Sequence, residues 1–235
     1  MEESSSKKAF WQAPWLKHAG IVIGILCVMT IGIIVLRNNA LKNGENLTAS
    51  LKTELELSTA GSEELSAKEK RELILLIELF DFIKSRREHN RAVFMSMYAY
   101  HFTSTTLLII LSSLSTVLLL IVANQGIANT KPYFKTVFFT IAFITTSYAV
   151  IPQVYDFEKN IETNFDLYRS YEQLRYDIYS YATLMREGDE MDELQSFSEF
   201  YTGLIGEMRD LINIGIQFDS ESLATPDFGE SQPGF

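Results

Sequence analysis

Three long stretches without a charged residue constrain the fold of this chain more than any other feature. They are Ala19–Leu36, Phe102–Thr130 and Thr136–Tyr155, and they contain 18, 29 and 20 residues. A helix that crosses a bilayer needs about 20 consecutive apolar residues. A compact soluble domain has no use for three such stretches. The sequence therefore predicts an all-α membrane protein with three transmembrane helices and helical soluble segments.

These spans divide the chain into seven predicted segments. They are a polar N-terminal tail (1–17), the first transmembrane helix (18–37), a connector (38–66), an amphipathic and then basic helix (67–101), a transmembrane helical hairpin (102–151), a heptad-patterned soluble helix (152–186) and an acidic C-terminal helix with a disordered tail (187–235). Ser66 and Glu69 form a capping box, which predicts a helix that begins at Ala67. Pro132 follows a short Asn- and Gly-containing turn and is placed to open the third span.

The first uncharged run has two interpretations, a retained membrane anchor and a secretory signal peptide. The apolar core of a signal peptide is usually about 7–15 residues long and precedes a cleavage site of small residues. The run here is longer, and the sequence at 37–40 is a poor cleavage site. Trp11 and Trp15 lie just before the run, where tryptophan suits a membrane interface. These features favour a retained anchor.

The net charge of −10 belongs to the C-terminal end of the chain. Glu187–Phe235 contains 12 acidic residues and one basic residue, whereas the rest of the chain contains 18 acidic and 19 basic residues. Such a tail repels nucleic acid, whose binding depends on contacts from Lys and Arg. We therefore expect no nucleic-acid partner. The expected partners are the lipid bilayer and either further copies of this chain or other membrane-protein subunits.

Three crossings place residues 37–101 and the chain after Pro152 on one side of the membrane. The N-terminus and the hairpin turn then lie on the other side. Near the spans, each side carries five basic residues. The distribution of Lys and Arg therefore leaves the orientation open.

Hydroxyl side chains recur along both spans of the predicted hairpin. They fit the polar lining of a pore formed by several copies, but Ser and Thr in membrane helices also serve packing and interhelical hydrogen bonding. Both interpretations remain open from sequence. No Asp, Glu, Lys or Arg lies inside a span, which argues against a proton pump. The candidate pore-lining residues are Thr105, Ser112, Thr116, Thr136, Thr140 and Ser147.

Apolar residues recur after Pro152 at alternating steps of three and four, with Asn164 at the one skipped position. This spacing is a heptad seam, and it predicts helix–helix packing without identifying the partner helix. The seam residues are Val154, Phe157, Ile161, Tyr168, Tyr171, Leu174, Ile178, Tyr181 and Met185.

A basic cluster precedes the second span. It is a candidate for binding anionic lipid or phosphate, although such a run is also a common topogenic flank of a span. Its residues are Lys84, Arg86, Arg87 and Arg91.

Motifs for catalysis or cofactor binding are not apparent in the sequence. It has no Gly-rich phosphate loop, no Ser/His/Asp set and no metal-binding helix motif. Cys27 is the single cysteine, which excludes an intrachain disulfide and a cysteine metal cluster. We expect no cofactor, no metal and no enzymatic activity.

The order of a basic helix, a two-span hairpin and a long Tyr-rich helix resembles the SLATT superfamily of small membrane proteins. The matching stretch is Arg87–Met185 and includes Tyr168-Arg169, Tyr171-Glu172-Gln173-Leu174-Arg175 and Tyr179. The resemblance implies a pore-forming membrane effector, of a class often coupled to nucleotide-signal sensors in bacterial conflict systems. The resemblance also implies that the protein is located in a bacterial inner membrane.

Two functions follow as expectations. The first is an integral membrane protein that self-associates and forms or gates a pore. The second is a non-catalytic accessory or assembly subunit of a larger membrane complex, which docks through its soluble helices. The heptad seam fits both because it requires a helical partner of either origin.

Overall fold

The computed structural model describes residues 14–49, 55–59, 63, 65–187 and 196–222. The regular structure of these residues is helical, which confirms the all-α prediction. Three of the helices are long and apolar enough to cross a membrane, as predicted. The five helices are α1 (Pro14–Ala49), α2 (Ala67–Gln125), α3 (Pro132–Tyr155), α4 (Phe157–Glu187) and α5 (Phe197–Ser222).

Local signals at the starts of α2 and α3 act as the sequence predicts. The backbone N–H of Ser66 donates to Glu69 Oε2 at 2.6 Å, and the N–H of Glu69 donates to Ser66 Oγ at 3.3 Å. This capping box opens α2 at Ala67. Pro132 opens α3, where its fixed φ suits the first helical turn and its missing N–H leaves no donor unpaired.

Three helix boundaries differ from the prediction. The basic helix and the second span form one helix of 59 residues, since no Gly or Pro interrupts the sequence from Ala67 to Gln125. Helix α1 extends to Ala49, well into the predicted connector. Asp156 has a left-handed backbone with φ of 39° and separates α3 from α4. The heptad-patterned helix therefore begins at Phe157, after this break, and not at residue 152.

Of the predicted polar tail (1–17), residues 14–17 belong to α1 and the rest lies outside the described residues. Of the end expected to be disordered (219–235), residues 219–222 are helical and the rest lies outside the described residues. The acidic C-terminal segment does contain a helix, α5, and it continues to Ser222.

The chain divides into two compact units. The membrane unit contains α1 as far as Gly44, α2 from Tyr98 onward, and α3. The second unit contains the described residues between Glu45 and Met97 together with those from Glu158 onward. Three membrane crossings would put these two parts of the second unit on the same side, and they do pack together.

The membrane unit has a small apolar core and a large apolar exterior. Leu111 and Leu118 of α2 and Ile141 of α3 are buried against one another, and Met29 of α1 packs on them. Many large apolar side chains point outward, which water would disfavour and lipid favours. Examples are Ile23, Val28 and Ile31 of α1, Ile109, Val117 and Leu120 of α2, and Phe139 and Phe143 of α3.

The second unit is built on antiparallel packing of α2 against α4. The rings of Phe94 and Phe165 lie 5.1 Å apart, and the guanidinium of Arg175 lies 4.9 Å from the ring of Phe80. Residue numbers therefore rise along α2 as they fall along α4. Leu204 of α5 completes the core. The main core residues are Leu73, Leu76, Phe80 and Ile83 of α2 and Leu167, Tyr171, Leu174 and Ile178 of α4.

Candidate functional site

Three charged side chains are buried together between α2 and α4, and we call them the Arg–Glu–Arg cluster: Arg87, Glu172 and Arg175. Arg87 Nε lies 2.6 Å from Glu172 Oε2, and Arg175 Nη1 donates to the same oxygen at 2.8 Å. The exposed fractions of the three side chains are 5%, 4% and 1%. One carboxylate oxygen therefore pairs with two guanidinium groups away from water.

Helical spacing explains why these charges lie inside. Arg87 is four residues after Ile83, so it continues the buried stripe of α2. Glu172 and Arg175 are three residues apart and share one face of α4. Aromatic rings cover both guanidinium groups: Arg87 lies over Tyr168 at 5.4 Å, and Arg175 lies over Phe80. Cation–π attraction lowers part of the cost of removing these charges from water.

Two arginines of α4 also hold the segment at 55–59, which precedes α2. Arg175 Nη2 donates to the backbone oxygen of Leu55 at 3.1 Å, and Arg186 Nη2 donates to the backbone oxygen of Ser58. Charged donors strengthen hydrogen bonds to backbone oxygens. Arg175 therefore joins three parts of the second unit: α4, α2 and this segment.

The Arg–Glu–Arg cluster is not fully satisfied. Within the described part of the chain, Glu172 Oε1, Arg87 Nε, Arg175 Nε and the hydroxyl of Tyr168 are buried without a hydrogen bond of good geometry, so the 2.6 Å contact of Arg87 Nε is a charge contact. An unpaired buried polar atom costs about 1–3 kcal/mol. The cluster is therefore a costly feature of the fold. Its chemistry is electrostatic pairing, and no described group of three His, Cys, Asp or Glu side chains is placed to hold a metal ion.

The predicted seam residues mostly face α2 of the same chain. Phe157, Tyr168, Tyr171, Leu174, Ile178 and Met185 are buried, while Ile161 and Tyr181 are partly exposed. The side chain of Val154 lies outside the described residues, and its backbone belongs to α3. Most of these residues fill the core of one chain, so that part of the seam is already occupied.

Sequence reasoning placed Asn164 at a seam position but missed the other polar members of this interface. Asn160, Asn164, Glu172 and Arg175 are buried on α4, and Asn164 Nδ2 donates to the backbone oxygen of Asn160 at 2.9 Å. Asn160, Asn164 and Leu167 follow Phe157 at steps of three, four and three. The alternating steps of three and four therefore identify these buried positions when polar residues are accepted in the pattern.

The predicted basic cluster is divided by the structure. Lys84 and Arg86 are exposed, and Arg86 lies over the ring of Phe82 at 5.4 Å. Arg91 is partly buried, and its Nε donates to Thr48 Oγ1 at 3.3 Å. Arg87 is buried against Glu172. Arg87 therefore does not present its charge to lipid or phosphate, because the inner stripe of α2 carries it into the core.

The candidate pore-lining hydroxyls lie outside the core of the membrane unit. Ser112, Thr116 and Ser147 are exposed, and Thr105, Thr136 and Thr140 are partly exposed. Thr116 Oγ1 donates to the backbone oxygen of Ser112 at 2.8 Å, and Ser147 Oγ donates to that of Phe143 at 2.9 Å. These hydroxyl protons are thus used within their own helices.

Thr136 has a second contact, which joins α1 to α3. His18 Nδ1 lies 2.7 Å from Thr136 Oγ1, and Thr136 Oγ1 lies 3.2 Å from the backbone oxygen of Pro132. A hydroxyl has a single proton. That proton serves one of these two contacts, and His18 Nδ1 and Thr136 Oγ1 share a hydrogen bond in either case. This contact fixes the start of the first span against the start of the third.

Burial changes the acidity of two tyrosines in the core of the second unit. Removal from water raises the pKa of Tyr171, and the positive charge of Arg86 offsets part of that rise. Removal from water also raises the pKa of Tyr181, to which the negative charge of Glu72 adds. Outside this core, the hydrogen bonds from Ser66 hold the pKa of Glu69 below its usual value.

In comparisons with known proteins, no family model, no curated protein and no solved structure matches the chain.

Proposed function

We propose that this chain is a non-catalytic, multi-pass membrane protein whose copies associate and form or gate a pore. The observation that supports the proposal is the position of the hydroxyls in the hairpin. The packed side of α2 carries Leu111 and Leu118, while Ser112 and Thr116 are exposed. The exposed side of α2 in a single chain thus carries these hydroxyls beside large apolar residues such as Ile109, and it is free to contact other copies in an assembly.

Helix geometry separates the two faces. Thr105, Ser112 and Thr116 are seven and four residues apart, which places them on one side of α2. Leu111 and Leu118 lie on a stripe that is rotated from this side by roughly 120–140°, at 3.6 residues per turn. On α3, Thr136, Thr140 and Ser147 likewise share one side, which also carries the exposed ring of Phe143. Lipid is a poor solvent for two rows of hydroxyls, whereas a lumen between copies would solvate them.

The hydrogen bonds of the lining suggest which ions the pore would favour. The protons of Thr116 and Ser147 are donated to backbone oxygens. The oxygen lone pairs of Thr116 and Ser147 remain available to a lumen, whereas Thr136 Oγ1 also contacts His18 Nδ1. A neutral ring of oxygen acceptors suits small cations better than anions. We therefore expect preference for cations if a pore forms.

The order of segments in Arg87–Met185 supports an assignment as a SLATT-like effector in a bacterial inner membrane, which belongs to the same proposal. The alternative, an accessory subunit of a larger complex, makes a different prediction about mass. The test is native mass spectrometry of the full chain in nanodiscs. A discrete homo-oligomer with cation conductance in planar bilayers supports the pore. A monomer, or a fixed complex with other chains, contradicts it.

Cysteine accessibility tests the lining directly. In a Cys27→Ser background, we expect Ser112→Cys and Thr116→Cys to react with a charged thiol reagent and to lose conductance. Ser113→Cys is the matched control, because Ser113 is an exposed serine on the adjacent face and donates to the backbone oxygen of Ile109. Equal reaction at Ser112→Cys and Ser113→Cys would argue against a lumen lined by the predicted face.

A further inference from the structure

The outer face of α2 in the second unit carries large apolar side chains that the core does not use. Ile74, Leu75 and Phe82 are 48%, 41% and 40% exposed, whereas the inner residues Leu73 and Phe80 are at most 2% exposed. Leu75 and Phe82 are seven residues apart, so they lie on one side of the helix about 10 Å apart. We call Ile74, Leu75 and Phe82 the outer stripe.

Basic side chains border the outer stripe at both ends. Arg71 lies one helical turn before Leu75, and Arg86 lies one turn after Phe82; both are exposed. Between Ala67 and Met97, the exposed charged side chains of α2 comprise five basic and three acidic residues. The outer stripe is therefore an apolar surface that is bordered by basic residues and carries one acidic side chain, Glu78, between Leu75 and Phe82.

The exposed side of α4 has the opposite charge and apolar residues at a similar spacing. Tyr176 and Leu184 are 38% and 43% exposed and are eight residues apart, or about 12 Å along the helix. The exposed charged side chains of α4 comprise four acidic and two basic residues. Asp166 and Glu187 lie on the same side as this pair, before and after it, and the exposed Arg169 lies on that side between Asp166 and Tyr176.

From this complementarity we infer that the outer stripe of one copy docks on the Tyr176–Leu184 face of α4 in a second copy. The inference rests on the proposed self-association and names its contact surface. Copies inserted in a membrane share one orientation, so rotation about the membrane normal brings different faces together. The basic residues beside the outer stripe and the acidic residues beside Tyr176 and Leu184 lie on the same unit. Each copy can therefore bind the next one head to tail in a ring, and the opposite charges favour one register of the contact.

Charge reversal tests the contact in the full chain. We expect Arg71→Glu with Arg86→Glu to abolish the oligomer at a concentration where the unchanged chain is assembled. Asp166→Lys with Glu187→Lys should have the same effect. All four changes in one chain should restore the oligomer, because each interface then joins two reversed faces. Native mass spectrometry in phosphatidylcholine nanodiscs gives the readout.

Cross-linking tests which faces meet. In a Cys27→Ser background, mixed chains that carry Leu75→Cys or Leu184→Cys should form a disulfide-linked dimer of the two kinds of chain. Lys84→Cys is the matched control for Leu75→Cys, because Lys84 is exposed on the opposite side of the same helix. A dimer formed by Leu75→Cys alone would indicate a symmetric contact and overturn the inference.

The remaining outcomes separate this inference from the proposed function. An oligomer that persists in all the reversed variants overturns the docking surface and leaves self-association in place. A monomeric unchanged chain overturns both. If the Arg71 and Arg86 changes act only in nanodiscs that contain phosphatidylglycerol, the basic face binds anionic lipid, which also overturns the inference.

Discussion

Arg87 Nε and Glu172 Oε2 lie 2.6 Å apart, and neither side chain is more than 5% exposed. The pair joins α2 to α4, Arg175 binds the same carboxylate oxygen, and Arg87 Nη1 also donates to Glu88 Oε1 at 3.0 Å. The attraction within a buried ion pair offsets little more than the cost of removing both charges from water. Loss of one partner, however, leaves the other charge buried and unpaired. We therefore expect the Arg–Glu–Arg cluster to fix the register of α2 against α4 more than it increases stability.

Removal of the shared carboxylate gives the first prediction. Glu172→Gln keeps the size of the side chain but leaves the guanidinium groups of Arg87 and Arg175 buried together. We expect the free energy of unfolding to fall by about 3–5 kcal/mol, the usual effect of breaking a buried pair. Chemical denaturation of the detergent-solubilised chain, followed by circular dichroism, measures it.

Glu162→Gln is the control, because Glu162 is exposed on the same helix. Its effect should stay within about 0.5 kcal/mol, as for most surface changes. If the two substitutions lowered the free energy of unfolding by similar amounts, the buried pairing of Glu172 would make no particular contribution to stability.

Replacement of the whole cluster gives the second prediction. Arg87→Met, Glu172→Leu and Arg175→Met together remove every charge and avoid an unpaired one. Apolar replacement of a buried ionic group is often neutral or stabilising by about 1–4 kcal/mol. We expect the triple variant to be at least as stable as the unchanged chain in the same denaturation experiment. A triple variant less stable than Glu172→Gln would mean that the cluster contributes net stability.

Local and compositional features were sufficient to predict the three spans and two of the helix starts in this fold. The uncharged runs define three spans because a bilayer tolerates few charges over about 20 residues. Ser66 with Glu69 and Pro132 define helix starts because their effect depends on neighbours within one turn. The position of Asp156 between α3 and α4 was not predictable in this way, since Asp adopts the left-handed conformation only occasionally.

The polar part of the candidate site could not be predicted from the sequence because it depends on contacts between distant residues. In the sequence, Arg87 resembles the other basic residues that flank the second span. Its burial follows from its contact with Glu172, which is 85 residues later in the chain. A search for apolar seam residues selects Ile161 and passes over Asn160, although Asn160 is the more buried. Polar residues at seam positions signal burial only when the partner helix is known.

The third prediction concerns Ile178 and Ile161, two members of the predicted seam. Ile178 is fully buried in the core of the second unit, and Ile161 is partly exposed. We expect Ile178→Asp to unfold this unit, since an unpaired buried charge costs several kcal/mol. Ile161→Asp should have a much smaller effect. Limited proteolysis of the full chain in detergent distinguishes a folded second unit from an unfolded one.

The result also tests the role of the seam. If Ile178→Asp dissociates the oligomer while the second unit resists protease as before, the seam lies between copies and its packing on α2 within one chain is wrong. If the unit unfolds, the seam belongs to the single chain. Membrane insertion should persist in both variants, because neither change lies in a span.

The fourth prediction is a loss of stability at alkaline pH. Burial raises the pKa of Tyr171 in the folded chain above its value in the unfolded chain. The neutral phenol is thus favoured by folding, so its contribution is complete below the ordinary pKa of about 10 and is lost as the pH rises through the raised value. We expect the melting temperature of the second unit to fall over that range. Tyr171→Phe should reduce the fall, whereas Tyr176→Phe, at an exposed position, should leave it unchanged. An alkaline loss that is identical in Tyr171→Phe and the unchanged chain would assign the effect to other groups.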